Sequence, residues 1–313
     1  MTASSLPPKG VYAAAVTPFA ADLQPDLKGL VQHCRWLLGQ GCDGLAPFGT
    51  TGEGTSLGVG QKHALYEGLA GAGLPVAKMI PGLGVAALAD AVALAKRAVT
   101  IGYGGVLALP AFYYKNPSEE GVYAWYAELI ERVGDSRLRV YIYHFPQQSA
   151  VPVPRPIVAR LIAAYPQAIV GLKDSGGDWE NSRQLLADHP GFQVMSGSEQ
   201  YLLANLRAGG AGCISATVNL TAPLAALVAA QAAAPQADGL QEQLTQVRVA
   251  LQRFPFVAAM KEILAEVTGT QAWRHVLPPL RALSAAQVEE LLASLSALPQ
   301  AKPWLAPRAQ AAE

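Results

Sequence analysis

Short apolar, β-prone runs alternate along the chain with segments whose apolar positions follow the helical period. Eight such runs begin about 20 to 35 residues apart, at 11–19, 44–49, 75–82, 104–110, 139–146, 168–175, 192–197 and 212–219. Between the first two runs, Leu30, Cys34 and Leu37 share one face of a predicted helix over 27–41. Strands that alternate with amphipathic helices pair in parallel through right-handed crossovers. Eight such units predict an α/β fold of the (β/α)8 barrel type.

From residue 222 onward the pattern is helical only. The predicted helices there cover 222–234, 240–253, 257–268, 272–280 and 285–297. We therefore expect a barrel over residues 1–221 that carries the active site, and a C-terminal helical bundle over 222–298. The Pro- and Ala-rich tail, 299–313, is expected to be loose.

Composition narrows the class of protein. The chain has 313 residues, of which 51% are hydrophobic, so a large core can form. Lys+Arg and Asp+Glu both number 23, and this balance gives no positive field toward nucleic acid or an anionic membrane. The apolar stretch 222–235 is shorter than the roughly 18–20 residues needed to cross a bilayer, and the N-terminus lacks a signal-peptide core. We expect a cytoplasmic protein without nucleic-acid or membrane partners.

Neither a disulfide framework nor a metal site is predicted. The three cysteines, Cys34, Cys42 and Cys213, are widely spaced and are expected to be buried free thiols. The five histidines are scattered and lack the spacing of metal ligands. We expect no bound cofactor.

The sequence PFGTTGEGTSL, residues 47–57, places two hydroxyls in a glycine-rich turn after a predicted strand. One interpretation is a capping box, in which Thr50 is the N-cap and Glu53 reaches back to it. The other is an anion site, because free N–H groups at a helix N-terminus bind carboxylates. The turn alone favours neither.

Lys173 lies within an apolar run, where lysine is seldom buried without a reason. By the period of two, it would share the inward face with Ile169 and Gly171. It could be paired with Asp174 or another carboxylate. It could also be a Schiff-base nucleophile, because burial disfavours the ammonium and leaves free amine to attack a ketone. Lys78 is the rival candidate in a predicted strand.

Lys261 is placed in a helix and is expected to be solvated. Tyr143 ends the strand before Lys173, and its phenol could move protons during Schiff-base chemistry, with Thr50 as a relay. Alternatively, Tyr143 is an aromatic cap on the barrel. Amine, phenol and carboxylate-binding turn together would meet the needs of α-keto acid activation.

Seven short motifs follow one another along the chain. They are VTPF (16–19), GTTGE (49–53), PAFYYKNPSEEG (110–121), YHFP (143–146), GLKDS (171–175), SGSE (196–199) and GCIS (212–215). This set resembles the dihydrodipicolinate synthase / N-acetylneuraminate lyase family of class I aldolases, over roughly residues 8 to 300.

The resemblance implies a cofactor-free lyase that acts on pyruvate or a related α-keto acid. Lys173 would form the Schiff base and Tyr143 would be the general acid and base. Thr50 and Thr51, in the turn that begins at Gly49, would hold the carboxylate, and Thr50 would also relay protons.

Two further residues follow from the resemblance. The backbone carbonyl of Ile214 would face the reactive lysine, although its side chain can equally be plain core. Tyr114 would reach across a subunit interface into a neighbour's site, which implies a homo-oligomer, either a dimer or a tetramer built from two dimers.

The part of the site that would bind the aldehyde half of the substrate, here called the acceptor side, departs from the family pattern. Gln148 stands where the dihydrodipicolinate synthase branch carries an arginine that binds the carboxylate of aspartate semialdehyde. Glutamine cannot form that charged bidentate pair. We therefore expect aldol cleavage, condensation or dehydration of a substrate like a 2-keto-3-deoxy sugar acid, with dihydrodipicolinate synthase as the alternative. His144, where asparagine is common, is either a substrate ligand or a buried, hydrogen-bonded side chain.

A nucleotide-binding dehydrogenase is a remote alternative. Gly82, Gly84 and Ala87 fit the G-x-G-x-x-A fingerprint. That fingerprint needs an acidic residue at the end of the next strand, and the run 104–110 ends in Ala-Leu-Pro instead.

Overall fold

Seven short parallel strands form one curled sheet. The computed structural model describes residues 9–306, without the side chain of residue 304. The strands are β1 (Gly10–Ala13), β2 (Gly44–Leu45), β3 (Val106–Ala108), β4 (Val140–His144), β5 (Ile169–Asp174), β6 (Gln193–Ser196) and β7 (Gly212–Ser215). Their order is β2-β1-β7-β6-β5-β4-β3. The chain therefore progresses around the sheet without a reversal, as successive right-handed crossovers require.

Helices fill the connections and the C-terminal part of the chain. They are α1 (Leu27–Gly39), α2 (Val59–Gly71), α3 (Leu88–Ile101), α4 (Glu119–Val133), α5 (Pro146–Ser149), α6 (Arg155–Ala164), α7 (Trp179–Asp188), α8 (Leu202–Arg207), α9 (Val218–Ala230), α10 (Ala237–Gln252), α11 (Phe256–Thr268), α12 (Ala285–Ser296) and α13 (Lys302–Leu305). Their starts agree with local signals; Asp26 and Ser118, for example, each cap a first turn with a side-chain oxygen.

The third predicted strand, 75–82, is not a regular strand. It begins with the 3₁₀ turn Val76–Lys78 and then pairs through single parallel bridges, Leu45 with Met79 and Gly82 with Leu107. Because Pro75 and Pro81 lack an N–H, the segment cannot maintain a full ladder. It nevertheless lies between the edge strands β2 and β3.

Apolar side chains gather in three clusters. The largest lies between the sheet and the surrounding helices. A second joins α10, α11 and α12 to Val16, Ala216 and Leu220. The third, which we call the inner cluster, draws on strand residues and their immediate extensions: Tyr12, Ala14, Ala46, Ile80, Leu107, Leu109, Tyr141, Tyr143, Met195, Ala211 and Ile214. It covers the inner face of the curled sheet.

The C-terminal region agrees with most of the predicted helices. Helix α9 begins at Val218 and crosses residue 222, so the domain boundary at 221/222 falls within it; the division itself stays a prediction. The predicted helix 272–280 is wrong: only the 3₁₀ turn Gln271–Arg274 forms, because Pro278 and Pro279 supply no helical N–H. The expected loose tail begins with a 3₁₀ turn, Pro299–Ala301, and helix α13, while 307–313 lie outside the described residues.

No helix within residues 9–306 is both long and apolar enough to cross a membrane. In the same part of the chain, no group of three or more His, Cys, Asp or Glu side chains could hold a metal ion. Cys34, Cys42 and Cys213 are buried free thiols, as predicted.

Candidate active site

Lys173 lies on the inner face of the sheet, near the carboxyl end of β5. It pairs with Tyr143 on β4 and with Met195 on β6, and it is only 4% exposed. The expected alternation is only partly right. A register shift pairs Val140 with Ile169 but the next residue, Tyr141, with Gly171. Ile169 therefore belongs to the large cluster between the sheet and the helices. Gly171 does lie on the same face as Lys173, because a Cβ there would meet the Tyr141 ring at 2.6 Å.

The amine of Lys173 is connected to two hydroxyls. Its Nζ donates to Tyr143 Oη at 3.3 Å and lies 4.4 Å from the centre of the tyrosine ring. Tyr143 Oη is in turn 3.4 Å from Thr50 Oγ1. These contacts form a short polar path from strand β5, through β4, to the turn after β2. A proton can move along such a path without reaching bulk water.

Asp174 is not the partner of Lys173. Its carboxylate accepts hydrogen bonds from Ser182 Oγ at 2.7 Å, Asn181 Nδ2 at 2.9 Å and Gly176 N at 2.9 Å. Because its oxygens are taken up by these donors, Asp174 fixes the loop after β5 and leaves the lysine amine to the phenol.

The capping-box interpretation of the Gly49–Glu53 turn is wrong. Thr50 and Thr51 lie in turns, the next helical element is only the 3₁₀ turn Gly54–Ser56, and α2 begins at Val59. Glu53 has a left-handed backbone with φ +55°, and its side chain turns away from Thr50. The same result removes the α-helix N-terminus from the anion-site interpretation.

The turn nevertheless exposes donors to the site. The N–H of Glu53 donates to Thr50 O at 3.1 Å, that of Gly54 donates to Gly49 O at 3.0 Å, and Thr17 Oγ1 donates to Gly52 O at 2.8 Å. Within residues 9–306, the N–H groups of Thr50 and Thr51 have no acceptor. A Cβ on Gly49 would meet no atom within 4 Å, so there is open space beside the turn.

The acceptor-side candidates lie around the end of β4. Gln148 is exposed on α5. His144 is half-buried, and its Nδ1 accepts a hydrogen bond from the Val153 N–H at 3.2 Å. Burial lowers the pKa of His144, while the nearby Asp174 and the Val153 contact oppose this shift. The ring of Phe145 stacks on that of Tyr143 at 5.7 Å, so an apolar wall adjoins the phenol.

Ile214 and Tyr114 occupy opposite environments. Ile214 is fully buried in the inner cluster, on β7. Tyr114 is 77% exposed in the segment between β3 and α4, and its ring packs edge-on against that of Tyr113 at 5.4 Å. Two large aromatic side chains exposed side by side are typical of a surface that binds another molecule.

Three other lysines correct or extend the sequence-based view. Lys78 is exposed in a 3₁₀ turn and is not a strand lysine. Lys261 is fully buried, against expectation, and forms an ion pair with Glu53 at 2.6 Å.

Lys62, which the sequence reasoning missed, is fully buried on α2 and donates to Leu83 O at 2.5 Å. Burial lowers the pKa of Lys62 to about 8, although Asp90 opposes this. The signal was its helical spacing from Leu65, Tyr66 and Leu69, which are buried on the same face of α2.

The dehydrogenase alternative is overturned by the strand order. Dinucleotide-binding folds place their fingerprint at a reversal of strand order, and this sheet has none. The glycines have packing roles instead. A Cβ on Gly82 would lie 2.5 Å from Phe48 O, and Gly84 has φ +56°.

A buried amine beside a phenol, on the inner face of a parallel α/β sheet, is the arrangement expected of an enzyme that forms a Schiff base with a carbonyl substrate. Residues 7–298 match the dihydrodipicolinate synthetase family. The chain belongs to that family, and it is a Schiff-base-forming lyase.

Three similar proteins have names that agree with this family. An uncharacterized DapA-like lyase of Chloroflexus aurantiacus is 37% identical over 210 residues, which cover 67% of this chain and 70% of the relative. A 4-hydroxy-tetrahydrodipicolinate synthase of Rhizobium meliloti is 32% identical over 291 residues, 92% of this chain and 97% of the relative. The crystal structure of YagE, an E. coli prophage protein of the dihydrodipicolinic acid synthase family in complex with pyruvate, superposes with a TM-score of 0.85 at 25% identity, and the match covers 93% and 98% of the two chains.

Proposed function

We propose that the protein cleaves or forms a C–C bond, or eliminates water, through an imine between Lys173 and an α-keto acid. The observation that carries the proposal is the connected set of Lys173 Nζ, Tyr143 Oη and Thr50 Oγ1, with separations of 3.3 and 3.4 Å. The set combines a nucleophile, a proton carrier and a relay in one water-poor place.

The substrate carboxylate would bind at the turn. The free N–H groups of Thr50 and Thr51, with their hydroxyls, offer an anion several donors, and Gly49 leaves space for it. This orientation directs the keto carbon toward the Lys173 amine, and such positioning lowers the entropic barrier to attack.

Imine formation needs a balanced movement of protons. The neutral amine of Lys173 adds to the keto carbon, and the carbinolamine oxygen departs as water. Tyr143 donates a proton to that oxygen and becomes a phenolate, which Thr50 stabilises by its hydrogen bond. The product is an iminium ion and one water molecule.

Cleavage then uses the phenolate. In a 2-keto-3-deoxy acid, Tyr143 removes the proton of the C4 hydroxyl, and the electron pair of the C3–C4 bond moves into the iminium. An aldehyde leaves and an enamine remains. Tyr143 returns its proton to C3, and hydrolysis of the imine releases pyruvate and the free lysine.

The proposed substrate class rests on the acceptor side. Gln148 is exposed beside the end of β4 and is neutral, which suits a hydroxylated chain better than a second carboxylate. The 4-hydroxy-tetrahydrodipicolinate synthase function of the Rhizobium meliloti relative, which aligns over 92% of this chain, makes that activity the second candidate.

The proposal also covers the fold, the assembly and the cellular location of the protein. We infer that segment 79–82 takes the place of an eighth strand and closes a (β/α)8 barrel, with α10–α12 as an appended helical domain. The exposed Tyr113–Tyr114 pair supports a homo-oligomer, a dimer or tetramer, in which Tyr114 enters the neighbouring site. The buried free thiols support a cytoplasmic location.

The substrate class is tested by comparing two acceptors. We expect the protein to release pyruvate from 2-keto-3-deoxy sugar acids and to condense pyruvate poorly with aspartate semialdehyde. Gln148→Arg should improve use of the semialdehyde by about tenfold, because a charged bidentate pair is worth roughly 1.5–3 kcal/mol. Coupled assays of both reactions measure this, with Lys173→Ala as the inactive control. Efficient semialdehyde condensation by the unaltered protein would move the assignment to the second candidate.

A further inference from the structure

A buried charged pair lies directly behind the proposed carboxylate turn. Lys261 Nζ on α11 contacts Glu53 Oε1 at 2.6 Å, and both side chains are fully buried. The other carboxylate oxygen, Oε2, accepts a hydrogen bond from the Leu277 N–H at 2.6 Å. Lys261 also lies over the ring of Phe19 at 4.4 Å. Glu53 therefore has two fixed anchors in the C-terminal part of the chain.

Glu53 is also the last residue of the turn. Its N–H closes the turn onto Thr50 O, and its backbone has φ +55°, a conformation that a side-chain-bearing residue adopts at a cost. Such a conformation persists only where the surroundings hold it. The two anchors of the carboxylate hold it here, so the turn that presents Thr50 and Thr51 depends on Lys261 of α11 and on the backbone of Leu277.

The pair is not explained by stability alone. Removing two charges from water costs several kcal/mol per ion, and apolar residues of similar volume often stabilise a fold as well or better. The negative charge of Glu53 also lies three residues from Thr50, where an anion is proposed to bind. The ammonium of Lys261 cancels that charge, so that the substrate carboxylate is not repelled.

We propose that Lys261 is a positioning residue: through Glu53 it fixes the Thr50–Thr51 turn in the conformation that recognises the carboxylate of the α-keto acid. This inference rests on the proposed function. It assigns a catalytic contribution to the C-terminal helices, which supply none of the groups that touch the substrate. The expected signature is a loss of carboxylate recognition, with the chemistry at Lys173 retained.

The test compares pyruvate with pyruvamide, the same ketone without the negative charge. For each, borohydride-trapped adduct is measured against ketone concentration, and the ratio of half-saturating concentrations gives the carboxylate preference. Lys261→Met should reduce that preference at least about tenfold, because small displacements of positioning groups have effects of this size. Adduct at saturating pyruvamide should be unchanged. A merely structural role would lower trapping of both ketones equally.

Two further variants make the result decisive. Arg253→Met breaks an exposed pair with Glu290 on the same helical layer and should leave the preference as it is. Glu53→Ala removes both anchors from the turn side and should reduce the preference as Lys261→Met does, so it decides the case if the Lys261 variant does not fold.

The outcomes separate this inference from the proposed function. If the unaltered protein forms no adduct at Lys173 with either ketone, the proposed function fails and the inference falls with it. If the adduct forms and folded Lys261→Met or Glu53→Ala keeps the original preference, only the positioning role is overturned.

Discussion

At the scale of single residues, three buried lysines show how surroundings determine what an amine can do. Among residues 9–306, Lys62, Lys173 and Lys261 are buried. Lys62 donates to backbone carbonyls, and Lys261 is held by a carboxylate. Lys173 adjoins a phenol instead. Of the three, Lys173 is the one beside a hydroxyl that can carry protons, and for that reason we propose it as the nucleophile.

Lys62 gives a prediction about pH. Its pKa is about 8 in the folded protein and 10.5 in its ordinary state, so between these values the unfolded chain binds more protons. Stability contributed at this site therefore rises as pH increases through that window. Relative to Lys62→Met, the free energy of unfolding should increase by up to about 3 kcal/mol from pH ~8 to ~10.5. Urea unfolding across this range measures it.

Lys78 is exposed and supplies the matched control, because Lys78→Met should change the free energy of unfolding little. A difference between the unaltered protein and Lys62→Met that stays constant with pH would show that Lys62 titrates normally.

At the scale of elements, the alternation of apolar runs and helical segments predicted the α/β class and the parallel sheet, because each strand is short and covered on both faces. The details that failed have both local and distant causes. Pro81 interrupts the third strand, and a register shift next to Val140 moves Ile169 to the outer layer. The burial of Lys261 follows from Glu53, 208 residues away, and no local pattern contains it.

The candidate site, too, could be predicted only in part. Lys173 and Tyr143 could be predicted together because neighbouring parallel strands bring equivalent positions side by side. The turn could be predicted as a cluster of donors but not as a conformation, because Glu53 adopts a left-handed backbone and its side chain pairs with Lys261, which is distant in sequence.

The turn after β2 has a glycine that geometry requires. A Cβ at Gly54 would lie 1.7 Å from Phe48 O, which is backbone and cannot move aside alone. Gly54→Ala should therefore destabilise the protein by about 1–3 kcal/mol or more, as overpacking does. It should also weaken pyruvate binding, because the displaced turn carries Thr50 and Thr51. Thermal unfolding and ketone titration measure the two effects.

Gly60 is the control for this change. It lies on α2 with no atom within 4 Å of an added Cβ, so Gly60→Ala should be neutral or slightly stabilising. If Gly54→Ala behaved in the same way, the tight approach to Phe48 would not constrain the turn.

At the scale of the whole molecule, the proposed active site collects groups from distant parts of the chain. The inner face of the sheet supplies Lys173 and Tyr143, the turn after β2 supplies Thr50, and α11 supports that turn from behind. We propose that the acceptor side, with Gln148 and His144, governs substrate choice.

The most direct test of the central claim is reductive trapping. The protein is incubated with pyruvate and borohydride, its intact mass is measured, and the modified peptide is sequenced, in parallel with Lys173→Ala. The account predicts one reduced pyruvyl group per chain, on Lys173, and none on the variant. Modification at Lys62, or no modification of the folded protein, would contradict it.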